Sequence, residues 1–214
     1  MFNPRRTFLK SGVFLGAYLT GQLSALSIVR AKPETHELFK AGNGLYSQPW
    51  FVDGFLDLNE EIQLAAEEKK QLIIIYEQEG CPYCKELHKV NLKYPSIEKF
   101  MKANFRVVQL DIKGSREVTD FNGKTMSEKE FSRQWQIHFT PTLSFFPADP
   151  ALVMNKPSKE AEAFRLTGFW KVFHFETVLR FVKSGAYKKD SLQDYLNKRV
   201  EGLKQTGKTV KIWE

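Results

Sequence analysis

The chain has 214 residues, of which 42% are hydrophobic and 27% charged. These proportions exclude a disordered or fibrous chain and fit one domain with a real core plus smaller additions. The formal charge of +7 is uneven: Arg5, Arg6, Lys10 and Arg30 lie in the first 31 residues, which hold no acid, so the rest carries +3. With no nucleic-acid motif beside it, that modest charge reads as solvated surface, and no nucleic-acid partner is expected.

Residues 1–31 read as an export segment. Arg5 and Arg6 open a charged region, a weakly apolar stretch runs from Val13 to Val29, and Val29-Arg30-Ala31 offers small or apolar residues where a signal peptidase cuts. "PRRTFLK" resembles the twin-arginine export signal. The expectation is a periplasmic protein cleaved after Ala31, with an uncleaved tether as a minor variant. The alternative is an amphipathic or buried helix of the fold.

Residues 32–57 contain the turn-forming stretch "AGNGLYSQPW" and are expected to form an irregular N-terminal extension. Leu45, Tyr46, Trp50 and Phe51 would pack it over the core. "LNEEIQLAAEEKK" has helical spacing, with Asn59 as candidate N-cap and Ile62, Ala65 and Ala66 on one face. "QLIIIYE" is a short β-branched run and reads as a buried strand. "CPYCKELHKV" opens a helix with Pro82 in its first turn, Pro95 interrupts it, and "SIEKFMKANF" resumes it. "FRVVQLDI" is a second buried strand.

In "KGSREVTDFNGKTM", Asn122-Gly123 is a turn signal between short extended pieces and predicts a small hairpin insertion. Ser127 with Glu130 three residues later predicts a capping box and a helix. "TPTLSFFP" and "EAFRLTGF" suit two further strands, and "HFETVLRFVKSGAY" and "DSLQDYLNKRVEGLKQ" two closing helices. The order α, β, α, β, α, β, β, α, α describes an α/β sandwich. The domain is expected over residues 58–204, with a tail at 205–214.

Cys81 and Cys84 are the two cysteines of the chain. A structural disulfide three residues apart would close a tiny loop and constrain the unfolded chain little. A reactive dithiol explains the pair better. Cys81 stands just before a helix, where unsatisfied N–H groups and the macrodipole favour a thiolate, below the ~8.5 of free cysteine. Cys84, one turn in, suits the resolving thiol.

A strand running into Cys-x-x-Cys at a helix start, with a later strand preceded by Thr-Pro, resembles the thioredoxin family. "EGCPYC" and "FTPT" carry that resemblance, over about residues 59–187. It implies a three-layer thioredoxin-like sandwich and a cis Pro141 beside the cysteines. Thr140 would then offer its backbone to an extended substrate segment. The wider string "EQEGCPYCKELHKVN…VVQLDIKGSREVTDFNGK…FTPT…FHF" is similar to the periplasmic thioredoxins of bacterial sulfur-oxidation clusters, the SoxW-like group, which has an exported N-terminus and the hairpin insertion. That similarity implies a membrane thiol electron donor and, as substrates, disulfides of partner proteins in sulfur oxidation. No cofactor is implied. The chain departs from thioredoxin at Ile75, where the family carries a buried acid, and at Gly80 and Pro82-Tyr83, where thioredoxins have Trp before the first cysteine and Gly-Pro between the two.

Glu77, with Pro82 and Tyr83, is a candidate member of the shell around the cysteines. Glu77 or Glu79 is a candidate for the proton-transfer place left empty by Ile75, against the default of a solvated loop charge. His88 stands four residues after Cys84, a spacing compatible with a metal, yet the chain lacks the further cysteines a zinc site wants, and no metal is expected. His36, His138 and His174 are scattered and default to surface or satisfied core positions. Phe145, Phe146, Phe173 and Phe175 read as core; Trp135 and Phe139 are core or, alternatively, groove lining. The leading expectation is an exported, monomeric thiol–disulfide reductase. Its rivals are an oxidase or isomerase of the same chemistry and a non-enzymatic binding module of the same shape.

Overall fold

The computed structural model describes residues 38–156 and 158–207. The expected export segment, His36 and residues 208–214 of the expected tail lie outside them.

Four strands form the central sheet in the order β3-β2-β6-β7: β2 (Gln71–Glu77), β3 (Phe105–Asp111), β6 (Thr142–Phe145) and β7 (Phe164–Thr167). β2 pairs parallel with β3 and antiparallel with β6, and β6 pairs antiparallel with β7. β2 is buried along its whole length, as its unbroken apolar run requires. Side chains alternate across a strand, so Ile73, Ile75, Val107, Leu143 and Phe145 face one layer. That layer holds Leu87, Ile97 and Met101 of the segment after the cysteines, and Phe175, Val178 and Val182 of α6 (Val172–Lys183). Leu72, Ile74, Tyr76, Val108 and Leu110 face the opposite layer. It is built from α1 (Leu58–Glu67), with Ile62 and Ala65, and α4 (Glu128–Gln134), with Phe131. The result is the expected α/β three-layer thioredoxin-like sandwich.

A second, small sheet has the order β1-β4-β5: β1 (Leu56–Asp57), β4 (Glu117–Thr119) and β5 (Thr125–Ser127). The last two strands are the predicted hairpin. Its turn is longer than Asn122-Gly123 alone. The Asp120 carboxylate accepts from the N–H groups of Asn122 and Lys124, and Gly123 has φ +79°, the left-handed region that glycine enters without strain. β1 pairs parallel with β4, so the extension is stitched to the insertion, a pairing of two residues too short to show in the sequence.

Two local expectations need correction. Asp57, not Asn59, caps α1: its extended backbone (φ −86°, ψ 99°) lets the carboxylate accept from the N–H groups of Asn59 and Glu60. The helix of the cysteines also does not run on as regular α. α2 (Pro82–Glu86) passes into a π-helical stretch, Leu87–Asn91, before the chain breaks and α3 (Pro95–Asn104) begins at its proline. The capping box is present: Ser127 Oγ accepts from the Glu130 N–H, and the Glu130 carboxylate accepts from the Ser127 N–H. A short helical turn, α5 (Ser158–Ala161), precedes β7, and α7 (Leu192–Gln205) packs on α6. Leu45 and Phe51 of the extension are buried, with Trp50 packed against the core.

Candidate redox site

The register Tyr76↔Thr142 between β2 and β6 decides the site. β2 ends one residue later and feeds the loop to Cys81, while β6 begins directly after Thr140-Pro141. Antiparallel pairing therefore brings the cysteine loop and the Thr-Pro segment to the same end of the sheet. Gly80, at φ +77°, turns the chain in the left-handed region and delivers Cys81 to the start of α2.

Cys81 is the N-cap of α2, and Pro82 occupies the first turn, where its missing N–H costs nothing. The Cys84 N–H donates to Cys81 Sγ at 3.1 Å. The two cysteines are joined as a disulfide, with Cα atoms 5.3 Å apart. Cys84 is the more deeply placed, at 2% exposure against 5% for Cys81. Thr140 Oγ1 lies 3.4 Å from Cys81 Sγ and donates to it, and the Thr140 carbonyl oxygen stands 3.6 Å from the same sulfur. The Thr140–Pro141 peptide is cis. Cys81 and Cys84 thus share one turn, and the Thr140-Pro141 segment lies beside them, as the family resemblance implies. Tyr83, 61% exposed, and Phe139, 68% exposed, present their rings to solvent beside them. The core expectation thus fails for Phe139 and holds for Trp135, which is packed on Phe121, Phe131 and Phe146.

Glu77 overturns its default as a solvated charge. It is 1% exposed, on the same face of β2 as Ile75. His88, fully buried, directs Nε2 at both Glu77 oxygens, 2.9 and 3.2 Å away. Gln109 Nε2 also donates to the Glu77 carboxylate, and to the Tyr46 carbonyl at 2.6 Å. Gln48 of the extension turns its amide nitrogen to His88 Nδ1 at 3.1 Å. The partnership of His88, Gln48 and Gln109 was missed in the sequence. The parity of β2 was the available signal: Ile73, Ile75 and Glu77 must share a face.

Glu79 is exposed, its carboxylate against the backbone of Gly44. His138 is exposed, and His174 is half-buried edge-on to Trp170 and Phe173, burial holding its imidazole below the usual histidine range. Among the described residues no three or more His, Cys, Asp or Glu side chains gather as metal ligands. The described residues hold one redox couple and, on the flanking elements, one buried acid–imidazole pair.

Several solved structures are similar. A thioredoxin-fold protein from Helicobacter pylori is 21% identical over 63% of this chain and 81% of its own, with a TM-score of 0.47. A thioredoxin from Thermus thermophilus is 21% identical over 60% and 85%, with a TM-score of 0.43. The periplasmic thioredoxin SoxS from Paracoccus pantotrophus is 19% identical over 55% and 99%, with a TM-score of 0.35. Comparison with curated proteins finds no matching relative. The model of the thioredoxin-like domain family matches residues 58–183, more than half of the sequence, and the chain belongs to that family.

Proposed function

We propose that the protein is an exported thiol–disulfide oxidoreductase working as a reductase of partner-protein disulfides. The observation that carries this reading is the setting of Cys81. Its sulfur caps a helix, accepts from the Cys84 N–H, and faces the hydroxyl and carbonyl of Thr140. Donors aimed at one sulfur favour its thiolate, and a second thiol three residues on can displace whatever the first captures.

In the forward reaction the Cys81 thiolate attacks one sulfur of a substrate disulfide, and the other sulfur leaves as a thiolate. Cys84 loses its proton and attacks Cys81 Sγ, forming the Cys81–Cys84 disulfide and expelling the second substrate thiolate. Two electrons pass to the substrate, and the proton of Cys84 is available to one of its two sulfurs. Thr140 and the cis Pro141 precede β6, and the backbone of Thr140 would pair with an extended substrate segment.

Export to the periplasm is read from residues 1–31, and action as a monomer from the absence of a separate dimerisation domain in the sequence reading; re-reduction by a membrane thiol protein and substrates in sulfur oxidation are what the family resemblance implies. Insulin reduction by the wild type and by Cys81→Ser tests the core claim. Loss of activity in the variant is expected, and equal activity would leave only a binding module of this shape. The potential against glutathione sets direction: about −270 mV fits a reductase, about −120 mV an oxidase.

A further inference from the structure

Asn91 ends the π-helical stretch that follows the cysteines, and it is fully buried. Its Oδ1 is buried without a hydrogen-bond partner among the described residues. Burying an amide and bonding only half of it is unfavourable, and a leucine of similar size would avoid that cost. The amide is therefore explained by what its nitrogen holds. Nδ2 donates to the Trp170 carbonyl at 2.9 Å, across 79 residues of sequence. π-helical turns are rare and gather at functional sites. This one is closed by the Leu92 N–H on the Leu87 carbonyl at 3.0 Å.

Trp170 belongs to the short connection between β7 and α6. Its indole Nε1 donates to the Thr167 carbonyl at 3.1 Å, and its ring lies edge-on to His174, so the connection is braced from within. Two residues before Trp170, Gly168 turns at φ +81° and donates its N–H to the Pro141 carbonyl at 2.8 Å. Thr140, next to Pro141, donates to Cys81 Sγ. These contacts close a circuit. It runs from the dithiol helix through Asn91 to residues 168–170, on to Pro141, and from Thr140 back to Cys81. The ladder of β6 with β2 and β7 begins only at Thr142, so Thr140 and Pro141 stand outside it. They are held instead by a turn that is itself fastened to the helix of the cysteines.

We propose that Asn91 is a positioning residue for protein substrates, a latch that fixes the Thr140-Pro141 segment relative to Cys81 by holding residues 168–170 on the dithiol helix. This rests on the dithiol chemistry of the preceding section and adds to it the residue that sets the substrate-facing backbone. Asn91 acts through Trp170 and Gly168, not on the sulfurs. An extended substrate segment that pairs with the Thr140 backbone must also bring its disulfide onto Cys81 Sγ. A segment already fixed loses less freedom when the substrate arrives. A displacement of about 1 Å is enough to spoil the approach of a reacting pair. A small disulfide needs only the Cys81 sulfur and makes no use of the segment, so the latch serves proteins and not small disulfides.

The test compares the full-length wild type with Asn91→Leu, which keeps the bulk and removes the donor. Two substrates are used: insulin, with dithiothreitol as electron source, and dithiobis(nitrobenzoate), a small disulfide whose thiolate is coloured. In Asn91→Leu the KM for insulin is expected to rise about tenfold, the scale of one hydrogen bond, with kcat within about twofold. Release of the coloured thiolate by the reduced protein should stay within about twofold of the wild type. The Gly168 amide should exchange its hydrogen about tenfold faster, a direct reading of the loosened turn. The melting temperature should hold, because a half-bonded buried amide leaves together with the donor. An insulin KM that does not move overturns the latch, whatever the melting temperature does. Insulin and the small disulfide slowed by the same factor overturn it as well, since the damage then lies at the cysteines. Asn91→Ala, which adds no atoms, is read in the same way if Asn91→Leu does not fold. A wild type that reduces neither substrate refutes the oxidoreductase itself. A wild type that reduces both, with an Asn91-independent KM, refutes the latch alone.

Discussion

The hydroxyl of Thr140 donates to Cys81 Sγ at 3.4 Å across 59 residues of sequence. It is a side-chain donor from the segment before β6 on the sulfur that the helix N-terminus already serves. Hydrogen bonds to charged acceptors contribute about 1.5–3 kcal/mol, so this donor bears on how readily Cys81 ionises. Thr140→Val keeps the shape and removes the O–H. Its Cys81 should alkylate about tenfold more slowly at neutral pH, with the rate profile moved alkaline. Iodoacetamide labelling across pH checks this, and an unchanged profile would assign the sulfur's activation to the helix end alone.

The same setting orders the two cysteines. Cys81 caps the helix and meets Thr140, whereas Cys84 lies deeper, inside its first turn. In reduced protein Cys81 should be alkylated first, with a midpoint below the ~8.5 of free cysteine. Cys84→Ser removes the resolving thiol, so partner proteins should remain as mixed disulfides on Cys81. Mass spectrometry of labelled peptides reads the first outcome and non-reducing gels the second. Equal labelling of both cysteines near ~8.5 would reverse the assignment.

The sheet was legible because its signals are local. The β-branched apolar run Leu72–Tyr76 inside Gln71–Glu77 reads as a strand buried on both faces, and Ser127 with Glu130 marks a helix start by hydrogen bonds that close within one turn. The dithiol was legible for the same reason, since Cys81 and Cys84 share one turn. Thr140 beside Cys81 came from the family resemblance, because nothing local ties residues 59 apart. The Glu77–His88–Gln48 cluster stayed hidden because three separate segments build it. Glu77 borders a loop in sequence, yet the parity of β2 turns it inward. The π-helical stretch that carries His88 and Asn91 into the core leaves no compositional mark.

The hairpin insertion is anchored by a buried carboxylate. Glu128, 1% exposed, accepts from the backbone N–H groups of Asp111 and Arg116 and from the Arg116 guanidinium. Gly114 passes close over it: a Cβ there would meet Glu128 Cδ at 2.8 Å and Asp111 Cβ at 3.0 Å, besides the Glu128 carboxylate oxygen. Room for a methyl can come only by moving the carboxylate off its donors. Gly114→Ala should therefore destabilise the fold by about 1–3 kcal/mol, the range for overpacking a tight site. Urea unfolding measures it, and a neutral substitution would mean that Glu128 can shift without loss.

Glu176 ties the last two helices and gives stability a pH dependence. Burial alone would raise its carboxyl, but hydrogen bonds from Arg180 and Arg199 outweigh that and hold it below the usual carboxylate range. Arg180 lies one turn on in α6, and Arg199 reaches across from α7 at 2.6 Å. A carboxyl depressed in the folded state stabilises the protein above its unfolded value, ~4.3, and that contribution is lost as pH falls through the folded value. Acid should therefore loosen α7 from α6 only below the ordinary carboxylate range. Glu176→Gln leaves Arg199 without its carboxylate and should cost about 1–2 kcal/mol at neutral pH. It should also flatten the fall in stability between pH ~4.3 and more acid conditions. Thermal unfolding of both proteins across that window reads the effect; parallel pH profiles would show that Glu176 does not carry the linkage.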